Sequence, residues 1–184
     1  VDEMGVRLFV SVELPERIRH QLAAIQKTIK RNDFFEGRFV QEADLHATLV
    51  FIGEIDEISL EPIKESLSKI KFEPFEVCLG YLQVHPSIDM VRLLWIDLIS
   101  AELTMLAKKI QEALKPRVRP EEREFSGHLT IARVKKMIDR QGLDTYLRTQ
   151  QPEKHCFTVS SFALKRSILS QEGPEHTLLA TFNA

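Results

Sequence analysis

Hydrophobic positions along the chain alternate between two patterns, short apolar runs and stripes at helical spacing. Val6 to Leu14 (VRLFVSVEL) has the β-branched and aromatic content of a strand. Pro15 ends it and opens a helix in which Ile18, Leu22, Ile25 and Ile29 recur through Arg31. A charged loop from Asn32 to Asp44 then leads to a second apolar run starting at Leu45. Leu60, Ile63, Leu67 and Ile70 mark the next helix, and Phe75 to Gln83 closes this half as a strand. The same order follows again. Val91 to Ile99 predicts a strand, Ser100 an N-cap, and Leu103, Leu106, Ile110 and Leu114 a helix stripe. A loop from Lys115 to Gly127, an apolar run from His128, a short helix around Gly142 to Leu147 and a strand from Cys156 to about Lys165 complete it. Thr177 to Phe182 adds a last strand.

Each half reads β-α-β-α-β. The length suits a single domain over residues 1–184, or two small lobes sharing a core. The units, approximately 6–83 and 91–165 with a C-terminal strand approximately 176–183, look like a pseudo-two-fold duplication. Such a duplication already supplies a second half-site, which favours a monomer.

The second strand of each half carries the chemistry. Leu45-His46-Ala47-Thr48-Leu49-Val50-Phe51-Ile52-Gly53 and Gly127-His128-Leu129-Thr130-Ile131-Ala132-Arg133-Val134 both read His-x-Thr-aliphatic. Random placement would give this tripeptide about 0.3 times in such a chain. One copy in an apolar strand reads as a satisfied core histidine; two at equivalent places in two halves do not. Alternation puts His46 with Thr48, and His128 with Thr130, on one face of each strand. Equivalent strands near the pseudo-axis would bring the two imidazoles together across a cleft.

Composition narrows the setting. The 184 residues are 43% hydrophobic, enough to bury a core, and no run approaches the length of a membrane helix. Val1-Asp2-Glu3-Met4-Gly5 has neither the basic start nor the apolar centre of a secretion signal, so no membrane partner and a cytoplasmic location are expected. A net charge of −2 argues against coating nucleic acid by bulk electrostatics but leaves a local basic groove open. Cys78 and Cys156, both in strand-like runs without Cys-x-x-Cys spacing, read as small core residues rather than a disulfide or zinc site.

Two imidazoles facing one point suit concerted proton transfer, because they titrate near neutrality and their mutual repulsion separates their titrations. One takes a proton from an attacking water or hydroxyl and the other returns one to the departing oxygen, while Thr hydroxyls donate to phosphate oxygens. A metal reading competes. Two histidines without a carboxylate in either motif fall short of the three protein ligands usual for catalytic zinc, so chemistry without metal or other cofactor is favoured. Phosphodiesters open more readily without metal when a neighbouring hydroxyl or a strained cyclic phosphate assists.

The doubled motif, the opening Arg7-Leu8-Phe9-Val10 with Glu13-Leu14-Pro15, the His46-to-Gly53 run and His128-Leu129-Thr130-Ile131-Ala132-Arg133 resemble the 2H phosphoesterases. Within them the resemblance is to the RNA 2′,3′-cyclic phosphodiesterases, also called 2′-5′ RNA ligases, and it spans nearly the whole chain. It implies a bilobal α+β fold with antiparallel sheets lining a central cleft, no metal, and hydrolysis of a 2′,3′-cyclic phosphate at an RNA end, tRNA fragments among them, to a 2′-phosphate. It also implies reversible 2′-5′ joining. Carried over by motif position, His46 is the proton donor to the leaving 3′ oxygen, His128 the proton acceptor, and Thr48 and Thr130 hold the phosphate; the near symmetry gives no physical basis for that order.

Arg133 is assigned to the substrate by the resemblance, but strict alternation sets it on the face opposite His128. It needs a twist or bulge to reach substrate, and otherwise reads as a surface arginine paired with an acid. Phe34, Phe35, Arg38 and Phe39, and Arg117, Arg119, Arg123 and Phe125, sit in the two loops before the motif strands and read as charged loops with buried anchors. His85 reads as turn-associated, and His20, His155 and His176 lack a Thr at the motif spacing. Two rival functions stand beside the leading one: a relative acting on another cyclic phosphate or 2′-5′ phosphodiester, and an RNA-binding module without catalysis.

Overall fold

Strand β1 (Val6–Glu13) stops at the Leu14-Pro15 corner, and helix α1 (Glu16–Arg31) starts immediately after it. The computed structural model describes residues 6–117, 124–170 and 173–184. Helix α1 buries Ile18, Leu22 and Ile29, as the stripe predicts, together with one polar residue, Gln26. The expected loop of residues 32–44 holds a short strand, β2 (Phe35–Phe39), and a 3-10 turn at Glu42–Asp44. Glycine and two charges inside Phe-Glu-Gly-Arg-Phe hide this strand from a hydrophobic pattern. Gly37 is required there, because a Cβ would collide with the backbone carbonyl of Arg133 on the neighbouring strand.

The motif strand β3 (His46–Ile55) follows, then α2 (Leu60–Ser68), β4 (Phe75–Ser87) and β5 (Met90–Ile99). The Ser100 hydroxyl accepts the Leu103 N–H at 3.3 Å and caps α3 (Ala101–Leu114) as predicted. After the second motif strand, β6 (His128–Met137), come α4 (Arg140–Thr149), β7 (Cys156–Val159), β8 (Ser161–Ser170) and β9 (Gly173–Asn183). The single strand expected from Cys156 to Lys165 is therefore two, and they belong to different sheets.

Both sheets are antiparallel, with orders β3-β1-β8-β9 and β2-β6-β5-β4-β7. The last strand of each half crosses over: β8 completes the sheet of β1 and β3, and β4 that of β5 and β6, which β2 also joins. Neither sheet is a continuous piece of chain. One apolar core joins them, from Leu8, Val10 and Phe162 through Ile63 and Leu67 to Leu94, Ile96 and Ile110, each fully buried side chain contributing about 1.5–3 kcal/mol.

The two cysteines correct the sequence reading. Antiparallel pairing of β4 with β7 sets Cys78 directly opposite Cys156, and they form a disulfide with a Cα–Cα distance of 3.9 Å. A sequence separation of 78 conceals this pairing, which register alone decides. No helix among the described residues is long and apolar enough to cross a membrane.

Candidate active site

Backbone register determines which side chains can share a face. On β3, His46 lies opposite Glu13 and Thr48 opposite Ser11, but the next partners are Val50 and Val10, so Leu49 is an extra residue. On β6, His128 lies opposite Asp97 and Thr130 opposite Trp95, and the next pair is Ala132 with Leu94, so Ile131 is extra. Both motif strands thus carry a β-bulge immediately after the threonine. Its consequence is visible in burial: Leu49 and Val50 are both buried, as are Ile131 and Ala132. Alternation restarts one residue late. Phe51, 56% exposed, and Arg133 therefore return to the face of the histidine and threonine. The bulge that Arg133 needs is present. Its carbonyl at Ile131 is held by Gln26, whose buried amide donates to Ile131 O at 2.8 Å and to Val40 O at 2.9 Å.

The two imidazoles are anchored identically. His46 Nδ1 lies 2.6 Å from the Asp44 carbonyl oxygen, and His128 Nδ1 lies 2.7 Å from that of Ser126. A carbonyl can only accept, so Nδ1 carries the hydrogen in each neutral ring and Nε2 is left as the reactive nitrogen. Strand β3 packs against β6, bringing the two motif strands from different sheets into contact.

Their surroundings differ. Around His46 lie Phe9, 5.1 Å away between centroids, and His176 from β9, edge-on at 5.2 Å. Glu13, opposite His46, takes an ion pair from Lys165 Nζ at 2.7 Å and a hydrogen bond from the Ser11 hydroxyl at 3.1 Å. Ser11 and Lys165 are both buried. Burial in this dry setting is the main cause that lowers the His46 pKa from 6.5 to about 4. The Asp44 carbonyl and Glu13 oppose that shift, while Lys165 and His176 add to it. His176 is lowered too, chiefly by burial, and its Nδ1 has no hydrogen-bond partner among the described residues.

Around His128 the carboxylate opposite is Asp97, and its donor is neutral: Gln83 Nε2 bonds Asp97 Oδ2. The ring of His128 rests on Trp95 at 4.3 Å, and Trp95 stacks on His85 at 4.6 Å. The near-symmetric pair of motifs is therefore flanked by a cation on one side and an amide on the other.

All five site residues expected from the sequence, His46, Thr48, His128, Thr130 and Arg133, lie on the corresponding faces of the two bulged strands. Sequence reasoning misses His176, Lys165, Trp95 and His85. Ser11 and Glu13, polar residues at alternate positions in an apolar strand, are the legible signal for this neighbourhood. Phe34 and Phe35 are buried anchors, as expected of that loop, whereas Arg119 and Arg123 lie outside the described residues. Among the described residues, the one group of metal-ligand type close enough to share an ion is Glu76 with the two disulfide cysteines, and it includes neither motif histidine.

Comparison with known proteins shows the family of the chain. The family model described as "LigT like Phosphoesterase" matches residues 12–95. The RNA 2′,3′-cyclic phosphodiesterase of Archaeoglobus fulgidus is 32% identical over 96% of this chain and 99% of its own. The one from Methanocaldococcus jannaschii is 30% identical over 95% and 98%. Among solved structures, TT0787 of Thermus thermophilus superposes with a TM-score of 0.81 at 26% identity, covering 96% of this chain and 97% of that one. With relatives of that similarity over nearly its full length, the chain belongs to the LigT-like phosphoesterases of the 2H superfamily, enzymes with 2′,3′-cyclic phosphodiesterase activity.

Proposed function

We propose that the chain, as a monomer, hydrolyses the 2′,3′-cyclic phosphate at an RNA end to a 2′-phosphomonoester, using His46 and His128 and no metal. One observation carries this reading: two imidazoles with Nδ1 tied to a backbone carbonyl, each beside a threonine on an equally bulged strand. Thr48 and Thr130 donate to the non-bridging oxygens, and Arg133 draws the negative charge that builds there. Nε2 of His128 removes a proton from water as the water oxygen bonds to phosphorus. The P–O3′ bond breaks, and Nε2–H of His46 supplies the proton to O3′.

His46 must hold a proton to do this, and its low proton affinity leaves it neutral at pH 7. The arriving phosphate anion counters Lys165 and draws a proton onto the ring. A 5′-hydroxyl in place of water would form a 2′-5′ phosphodiester by the same transfers, which is the ligation reading.

The test is incubation of an RNA oligonucleotide ending in a 2′,3′-cyclic phosphate with the protein and EDTA, followed by identification of the product. A 2′-phosphate is expected. A 3′-phosphate would reverse the regiochemistry, turnover abolished by EDTA would remove the metal-free mechanism, and binding without turnover would favour an RNA-binding module.

A further inference from the structure

The imidazole of His128 rests on a ring stack that the proposed reaction does not use. Along β5, His128 is in register with Asp97 and His85 with Leu93, so they lie on either side of Trp95, and Trp95 contacts both rings. Trp95 is half-buried with its Nε1 shut away from solvent, whereas His85 is exposed. The first aromatic surface open to a ligand beyond His128 is therefore that of His85. Register also places His85 in a row: Arg38 pairs with Arg133, Arg133 with Leu93, and Leu93 with His85, across β2, β6, β5 and β4. Paired residues share a face of a sheet. The row thus begins at the guanidinium beside the reacting phosphate and ends at an exposed ring, crossing one apolar side chain. Adjacent strands are about 4.8 Å apart, so His85 is about 10 Å from Arg133.

We propose that this face of the five-stranded sheet is a second nucleotide subsite, in which the base of the nucleoside on the 5′ side of the reacting end stacks on His85. The proposal rests on the cyclic-phosphodiesterase reading above and deepens it. In a 2′,3′-cyclic phosphate both ester oxygens belong to the terminal ribose, which ties that nucleoside to His46 and His128. A ring face two ring contacts further on lies within reach of its neighbour. A flat imidazole supported by an indole suits any base by its π-face, and the cationic end of the row suits the backbone between them. The preferred substrate is accordingly a single-stranded RNA end rather than a cyclic mononucleotide.

Trp95 is the chain's one tryptophan, so its fluorescence reports on the stack directly. The experiment titrates the protein with a dinucleotide ending in a 2′-phosphate and with the matching nucleoside 2′-phosphate. The wild type is expected to bind the dinucleotide about 5- to 100-fold more tightly, the range one stacked base confers. His85→Ala should bring that ratio towards one, His85→Phe should restore it, and an abasic 5′ residue should remove it in the wild type. A ratio unchanged in His85→Ala overturns the proposal. So does an equal loss of both affinities, which would make His85 a prop for Trp95 and His128. Equal wild-type binding of the two ligands overturns the subsite alone, whereas failure of both to bind also overturns the cyclic-phosphodiesterase reading.

Discussion

Replacing His46 by glutamine should make folding less sensitive to acid, and the size of the effect follows from where the ring sits. In the unfolded chain His46 takes up a proton near pH 6.5, and in the folded protein burial beside Lys165 delays uptake to about pH 4. Between those values the unfolded state holds more protons, so stability falls as pH falls through that window and is lost in full below about 4. The complete effect is about 3.4 kcal/mol, and integrating to pH 4.5 gives about 2.5 kcal/mol, against almost nothing at pH 7.5. His176, lowered in the same direction, is present in both proteins. Urea unfolding at pH 7.5 and 4.5 checks the difference. The wild type should lose about 2.5 kcal/mol more than His46→Gln between the two, or about 5–10 °C in thermal midpoint for a domain of this size. Parallel losses would show that His46 keeps its ordinary proton affinity when folded, and the dry, cation-flanked environment argued for it would be wrong.

His46→Ala and His128→Ala should each reduce turnover of an RNA cyclic phosphate about 10²–10⁴-fold with unchanged circular dichroism; near-full activity in either would end the two-histidine mechanism. Lys165→Met removes the cation facing Glu13 and leaves that carboxylate to favour protonated His46, so the limb of the kcat/KM profile set by His46 should move to higher pH, and a profile with neither limb moved would exclude His46 as a titrating group of the reaction. Gln26→Leu removes the side-chain donor of the Val40 carbonyl and one of the two donors of the Ile131 carbonyl, which keeps the Val40 N–H at 3.0 Å, and should cost about 1–3 kcal/mol in chemical denaturation, with weaker substrate binding as the bulge that aims Arg133 relaxes. Replacing both cysteines by serine removes a cross-link over 78 residues, and chain entropy sets the expected loss at about 4 kcal/mol, read from the same denaturation.

What is legible in the sequence depends on how local its cause is. His46 with Thr48, and His128 with Thr130, can be placed on shared faces because a strand's period of two is a property of the strand alone. The bulges at Leu49 and Ile131 cannot be read, since a bulge exists only relative to a partner strand, and for that reason alternation assigns Arg133 to the wrong face. Strand β2 escapes because its stability comes from pairing with β6 rather than from its own apolar content, and the disulfide escapes because register between β4 and β7 decides it. The same logic explains why the motifs alone do not distinguish a proton donor from an acceptor. The motif strands and their immediate partners β1 and β5 are nearly equivalent, down to a carboxylate opposite each histidine. The side chains that differ, Lys165 on β8 and Gln83 on β4, arrive on strands that cross into the opposite half's sheet. The exchanged strands therefore break the symmetry of the two motif histidines, and they do so with a charge that no inspection of either His-x-Thr motif contains.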